Sequence, residues 1–279
     1  MTIILPNAAG PDNPDWSDPL TAAVTERDRD TLRMVDEAVQ SRRVRLAFQP
    51  VVPAGNPVSP VFYEGLARIL DPTGRTIPAA DFIDAVELHE TGRRIDALAL
   101  ELGLRALHAD PILRLSVNMS ARSIGYPRWT RTLEAGLLAD PSLAGRLILE
   151  ITESSAMLIP DIVSVFMADL QARGVRFALD DFGQGFTSFR YLRDFDFDIL
   201  KIDGQFIRGV AADPDNQVLT RALVSIAGHF QMLTVAESVE TAADAAWLAA
   251  AGVDCLQGYH IAAPSLRPAW APCEERRAV

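Results

Sequence analysis

The spacing of eight short apolar runs constrains this chain more than any other feature. They are Leu46–Val52, Val61–Ile69, Leu113–Met119, Leu147–Thr152, Val175–Leu179, Ile199–Ile202, Leu233–Ala236 and Cys255–Tyr259. Short runs rich in β-branched residues read as buried strands. Helical periodicity fills the intervals, over Phe82–Glu90, Ile95–His108, Trp129–Leu138, Ile162–Arg173, Asn216–Phe230 and Ala242–Ala250. Pro160-Asp161 opens one helix that Gly174 closes, Asp215 opens another, and Thr241 caps a third that Gly252 ends. Only PAGNPVSP separates the first two runs, whereas a parallel crossover needs about a dozen residues or more. Those two strands must pair as a hairpin, which reverses one of them against the rest.

The expected fold is therefore α/β, a TIM-like (β/α)8 barrel with one antiparallel strand. A length of 279 residues suits one such barrel, which uses about 250. Residues 1–25 are rich in Pro, Asp and Asn without a period and read as a mobile arm; 26–267 form the domain, and 268–279 a tail. No run of 18 apolar residues is present and the N-terminus has no basic region before its four-residue apolar run. Neither membrane insertion nor a signal peptide is expected. Two cysteines, Cys255 and Cys273, cannot build a disulfide framework, and a cytoplasmic location fits. The net charge of −11 repels DNA and RNA, so an anionic substrate would have to be attracted by something else, with metal ions the obvious means.

Polar residues sit where the runs end. Glu64, Asn118, Glu150, Asp180-Asp181, Lys201, Glu237 and Gln257 each lie within or just after a separate apolar run. In a parallel barrel those strand ends converge on one face, where active sites are built. Two carboxylates about 4 Å apart repel by roughly 4 kcal/mol at an effective dielectric near 20. Glu64, Glu150, Asp180, Asp181 and Glu237, with Glu240 as a sixth acid, would be costly in one mouth without cations. Oxygen donors with one amide, and no histidine or cysteine among them, favour Mg²⁺ or Mn²⁺ over Zn²⁺. The adjacent pair Asp180-Asp181 suits two ions sharing a carboxylate, an arrangement used for phosphodiester cleavage. Lys201 beside them suits positioning a water or neutralising a phosphate oxygen.

These residues resemble the EAL domain family, from about Thr31 to Pro264. The stretches that carry the resemblance are Tyr63-Glu64-Gly65-Leu66-Ala67-Arg68, Val117-Asn118-Met119-Ser120 and Leu149-Glu150-Ile151-Thr152-Glu153. Asp180-Asp181-Phe182-Gly183-Gln184-Gly185-Phe186-Thr187-Ser188, Lys201-Ile202-Asp203, Ala236-Glu237-Ser238-Val239-Glu240 and Gln257-Gly258-Tyr259 follow in the family's order. The resemblance implies hydrolysis of the bacterial second messenger cyclic di-GMP to linear pGpG by a metal-dependent phosphodiesterase. It implies that Glu64, Asn118, Glu150, Asp180, Asp181 and Glu237 bind two metal ions. Lys201 and Glu237 are the alternatives for assisting the attacking water, with Lys201 as the group that positions it; Glu64 completes the catalytic set. Arg68 resembles the substrate-phosphate contact, with Gln49 and Gln257 as further substrate or water contacts. Glu153 resembles the support of the loop 183–188, and Glu240 a more distant support. The resemblance also implies a homodimer, and a sensory or effector protein is a conceivable further partner.

Four positions depart from the family's commonest pattern: Gly65 for Ala, Gln184 for Thr, Phe186 for Tyr and Ser238 for Gly. None removes a ligand. The altered loop keeps an alternative open, a catalytically weak or inactive cyclic di-GMP receptor acting through protein contacts. The scattered His89, His108, His229 and His260 argue against histidine-based hydrolysis, and Cys255, inside an apolar run, reads as buried and inert.

Overall fold

The computed structural model describes residues 19–183, 192–268 and 270. The sequence variants Gln184 and Phe186 lie outside the described residues, as do positions 1–18 of the arm and 271–279 of the tail. Nine strands are described: β1 (Val44–Pro53), β2 (Phe62–Leu70), β3 (Thr76–Pro78), β4 (Leu115–Asn118), β5 (Leu147–Thr152), β6 (Arg176–Phe182), β7 (Ile199–Ile202), β8 (Leu233–Ala236) and β9 (Cys255–Leu256). The sheet runs β1-β9-β8-β7-β6-β5-β4-β2-β3, and a further β1–β2 pairing closes eight of the strands into a barrel. The remaining one, β3, is an addition to the outer edge of β2, from Arg68↔Pro78 to Leu70↔Thr76.

The reversed strand is β1. It pairs antiparallel with β2, from Val44↔Ile69 to Val51↔Phe62, and antiparallel with β9. All pairs from β2–β4 through β8–β9 are parallel. The eight-residue connection leaves no helix between β1 and β2, so the outer face there needs another cover. Helix α1 (Pro19–Gln40) supplies it. Its Val35, Ala38 and Val39 join Val44, Ile69, Ile77, Phe82 and Ile95 in one buried cluster. The helix begins inside the stretch read as an arm, and the sequence reading had no helix here although Leu32, Val35 and Val39 keep helical spacing.

Six of the remaining helices match expected ones, α2 (Ile83–Val86), α3 (Glu90–Ala109), α4 (Pro127–Ala139), α6 (Pro160–Gln171), α8 (Pro214–His229) and α9 (Ala242–Ala251), while the single turns α5 (Glu153–Ala156) and α7 (Gly204–Ile207) were not expected. Thr241 caps α9 by accepting from the Asp244 amide, and Gly252 ends it in the left-handed conformation at φ 88°. The cap of α8 is Asp213 rather than Asp215: its side chain accepts from the Asp215 and Asn216 amides, and Pro214 takes the first turn.

Alternation along the strands divides the core. Leu115, Val117, Leu147, Leu149, Phe177, Leu179, Leu200, Ile202 and Ala236 pack in the large cluster that includes the surrounding helices. Val51, Phe62, Ile148, Ala178, Ile199, Val235 and Cys255 form a separate buried cluster, one residue from each of seven barrel strands. This is the filled interior of the barrel. Ser116, fully buried, supplies the corresponding position on β4. Trp270, from the stretch read as tail, packs edge-on against Phe48 and Tyr63 at centroid distances of 5.0 and 6.1 Å.

Candidate active site at the barrel mouth

Two residues along each strand from this interior layer, the side chains change from apolar to polar. Phe62 is followed by Glu64, Ser116 by Asn118, Ile148 by Glu150, Ala178 by Asp180, Ile199 by Lys201, Val235 by Glu237 and Cys255 by Gln257. On reversed β1 the step runs backwards, from Val51 to Gln49. A period of two makes this a second layer on the same inner face. Strand register brings neighbours side by side, with Gln49 opposite Glu64 and Asn118 opposite Glu150.

Lys201 is the centre of that layer. It is 1 % exposed, and its Nζ lies 2.7 Å from Glu150 Oε2, 2.7 Å from Glu237 Oε1, 2.9 Å from Asp180 Oδ1 and 3.3 Å from Glu64 Oε2. Asn118 Nδ2 donates to Glu64 Oε1 at 2.9 Å, and Gln257 Nε2 donates to Glu64 Oε2. Gln257 also donates to Gln49 Oε1 at 3.1 Å, and Gln49 donates to the Ala262 carbonyl. Every residue expected to ligate metal except Asp181 thus belongs to this connected set. Asp181 joins through a local irregularity. The β6–β7 register shifts between Leu179 and Phe182, and Asp181 has φ 53°, a left-handed conformation that Asp tolerates better than most residues. Adjacent strand residues ordinarily face opposite ways, but here Asp180, Asp181 and Glu237 bring carboxylate oxygens within 4.8 Å of one another.

The electrostatics follow from five acids around one ammonium. Burial alone would lower the Lys201 pKa, but Asp180, Glu150, Glu237 and Glu64 drive it well above its ordinary value, so the lysine is a fixed cation. One cation cannot satisfy every acid. Burial is offset at Glu64 by Lys201 and by bonds from Gln257, Asn118 and Lys201, which hold its pKa below the usual value. Glu150 and Glu237 are pushed up by burial and by neighbouring carboxylates. Asp181 is raised to about 6 by burial and by Asp180.

The site passes a test for hard cations on its own chemistry. Glu64, Glu150 and Asp180 form one group with oxygens within 4.8 Å, Asp180, Asp181 and Glu237 a second, and Asp180 is common to both. Glu150 Oε1 is buried without a hydrogen-bond partner, and Asp180 Oδ1 meets Lys201 by charge and proximity without hydrogen-bond geometry. Buried oxygens left over in an all-oxygen pocket suit Mg²⁺-type ions.

The other expected site residues lie around this core. Arg68, four residues beyond Glu64 on β2, is half-buried and donates to the Ala67 carbonyl; burial lowers its pKa against the pull of Glu64, Tyr259 and Asp81. Glu153 Oε2 accepts from the Gly183 amide at 3.2 Å. Gly183 itself, at φ 99°, has the Phe206 ring where a Cβ would lie, so any other residue would be strained and would have to displace Phe206. Glu240 is not one of the mouth acids. It lies outside the cluster, with its side chain 52 % exposed and 3.5 Å from Arg208, because the chain leaves the barrel after Glu237 and turns through Ser238 at φ 53°. Arg208 also donates to Ser238 Oγ, a contact the sequence did not suggest. Cys255 is buried, and burial raises its thiol to about 12, which makes it inert.

A family profile described as the EAL domain matches residues 32–264. The chain belongs to the EAL domain family. It is 32 % identical over 236 residues to MucR of Pseudomonas aeruginosa, a bifunctional diguanylate cyclase/cyclic di-GMP phosphodiesterase, with 82 % of this chain and 34 % of MucR covered. It is 30 % identical over 237 residues to PdeN of Escherichia coli, a probable cyclic di-GMP phosphodiesterase, covering 83 % of this chain and 45 % of PdeN. This chain therefore spans between a third and a half of those two relatives. Among solved structures, the P. aeruginosa MucR phosphodiesterase in complex with c-di-GMP matches with a TM-score of 0.77 and 29 % identity, covering 88 % of this chain and 99 % of that one. The EAL family and the barrel are thus established for this chain. Among the described residues no helix is long and apolar enough to cross a membrane.

Proposed function

We propose that the protein hydrolyses cyclic di-GMP to linear pGpG with two Mg²⁺ or Mn²⁺ ions. The observation that carries this reading is the pair of carboxylate groups sharing Asp180, built around a buried lysine at the mouth of an EAL barrel. Glu64, Asn118, Glu150, Asp180, Asp181 and Glu237 would hold the ions. Bound there, the ions would supply Lewis-acid stabilisation of the phosphoryl oxygens and a nucleophilic water at neutral pH.

The chain's own residues have separable roles. Lys201, held charged by four carboxylates, donates and positions; it is not the proton acceptor. Of its four partners, Glu237 has the most open side chain, 17 % exposed against 0 to 11 % for the others. Its place beside Lys201 and in the carboxylate group with Asp180 and Asp181 suits Glu237 to taking the proton of the attacking water. Attack at phosphorus breaks the bond to one 3′ oxygen, which leaves with a proton, and the phosphate stays on the 5′ side. Arg68, above Glu64 on the same strand face, orients the phosphate by charge-assisted bonds. Gln257 holds Glu64, Gln49 holds Gln257, and both would face the substrate.

The homodimer belongs to the same proposal and is supported by Val218 and Leu219, exposed on α8. So do a cytoplasmic location and a sensory or effector partner. Phosphorus NMR of wild-type protein with cyclic di-GMP and Mg²⁺ tests the reaction. One phosphodiester signal should convert to one phosphodiester and one phosphomonoester of equal intensity; an unchanged spectrum with saturating protein overturns the reading.

A further inference from the structure

Directly outside the ring of site residues runs a polar belt of two hydrogen-bonded runs joined through one short helix, and one member of it has no place in the reaction described above. Asp96 lies on α3, an acid in the otherwise apolar stretch Ile95–Leu100. Its Oδ2 accepts from the Ser120 amide at 2.9 Å and from Ser123 Oγ at 2.6 Å, pinning the turn that follows Asn118 and Met119. Ser120 Oγ lies 3.3 Å from Ser155 Oγ, which also accepts from the Ala121 amide at 2.8 Å. Ser155 shares the single-turn helix α5 with Glu153, and Glu153 holds the Gly183 amide behind Asp181. From Gly183 the belt continues, since Gln205 on α7 donates to its carbonyl at 2.9 Å and Asn216 on α8 donates to the Gln205 carbonyl at 3.1 Å. The segments so joined follow β4, β5, β6 and β7, the strands that carry Asn118, Glu150, Asp180-Asp181 and Lys201.

We propose that Asp96, acting through Ser120 and Ser155, is a positioning residue that fixes Asn118 and the segment behind Asp181 for cation binding. The proposal rests on the reading of this mouth as a dication site. Among the described residues the carboxyl has no ion-pair partner: the bonds to it come from a backbone amide and a hydroxyl. Burial, with a smaller push from the nearby charge of Glu87, raises it to about 6 against the pull of Ser123 and Ser120. An acid kept at that disadvantage in an apolar helix face is explained by the turn it organises. Both bonds fall on one oxygen, so an asparagine carbonyl can accept both, whereas leucine can accept neither.

Calorimetry with Mn²⁺ alone, on wild type, Asp96→Asn, Asp96→Leu and Ser155→Ala, tests this without relying on turnover. Loss of a group that orients a ligand typically weakens metal affinity about 10- to 100-fold. Asp96→Leu and Ser155→Ala should fall in that range, and Asp96→Asn should stay within about 3-fold of wild type, on the same principle that the bonds survive. Should Asp96→Leu fail to fold, Ser155→Ala, which cuts the belt at its middle, decides alone. Wild-type affinity in Ser155→Ala, or equal loss in Asp96→Asn and Asp96→Leu, overturns the proposal. Wild type that does not bind Mn²⁺ overturns the dication reading beneath it. Wild type that binds Mn²⁺ without hydrolysing cyclic di-GMP contradicts only the proposed reaction, and the variant series still decides the role of Asp96.

Discussion

The floor and the mouth of the barrel are built by the same strands, two residues apart, and could hardly differ more in chemistry. The floor holds Val51, Phe62, Ile148, Ala178, Ile199, Val235 and Cys255, while the mouth holds Glu64, Glu150, Asp180, Lys201 and Glu237. Both layers are buried apart from Glu237, whose side chain is 17 % exposed. Apolar burial contributes stability in proportion to area, but burying like charges costs free energy unless cations compensate. The contrast shows where the fold stores its stability and where it accepts instability in return for chemistry. Substitutions in the two layers should therefore fail in different ways.

The largest effect on activity is expected from the carboxylate shared by both groups. Asp180→Asn should lower turnover of cyclic di-GMP by more than about 100-fold, beyond what losing a supporting contact costs. Its thermal unfolding without metal should stay within a few degrees of wild type, because a repelled charge is removed. A floor residue should do the reverse. Phe62→Ala, at a site 3 % exposed, should cost about 3–5 kcal/mol in denaturant unfolding, while turnover per folded molecule changes little. Equal losses of stability and turnover in both variants would break the division.

How far this division can be read from sequence depends on the element. The runs Leu147–Thr152, Ile199–Ile202 and Leu233–Ala236 match β5, β7 and β8 because buried strands of a parallel barrel are continuous apolar runs. The length of PAGNPVSP foretold the reversed strand, since chain reach is a covalent limit. Helix α1 escaped because charge-rich residues hide its apolar positions, and β3 because three residues carry no period. That Glu64, Asn118, Glu150, Asp180, Lys201, Glu237 and Gln257 gather in one mouth was legible from their places at strand ends. What the sequence did not reveal was the register shift that turns Asp181 beside Asp180, and the turn that takes Glu240 away from the mouth. Both are backbone conformations at non-glycine residues, which composition does not signal. Asp96 did leave a signal, a lone acid among Ile95, Ala97, Leu98 and Leu100, but nothing in the sequence showed what it bonds.

Asp96 also sharpens the comparison through pH. Its folded pKa, about 6, lies above the ordinary carboxylate value of 3.8, so the folded state binds the proton more tightly. The neutral form is favoured in the fold, and stability from this group is full below about pH 4 and lost as pH rises towards 6. The two-unit difference corresponds to an effect on the order of 3 kcal/mol. Asp96→Asn should remove that part of the slope, seen as the difference between wild-type and variant melting temperatures from pH 4 to 7. A constant difference across that range would contradict it.

The smallest effect belongs at Gly65, where the family commonly has alanine. A Cβ there would lie 3.2 Å from the Ser116 carbonyl and 3.3 Å from Leu46 Cδ1, close enough to require small shifts of both neighbours. Gly65→Ala should change stability by less than about 1 kcal/mol, the usual range for such replacements. A larger loss in urea unfolding would show that the strand beneath Glu64 has been fitted to glycine.

The central claim is that the mouth exists to hold a pair of dications over a phosphodiester. Product chromatography of wild-type protein with cyclic di-GMP, in Mg²⁺ or Mn²⁺ and again with excess EDTA, tests it most directly. The account predicts pGpG with metal and none with EDTA. Absence of product with either ion near pH 8, or the same yield in EDTA, would contradict it.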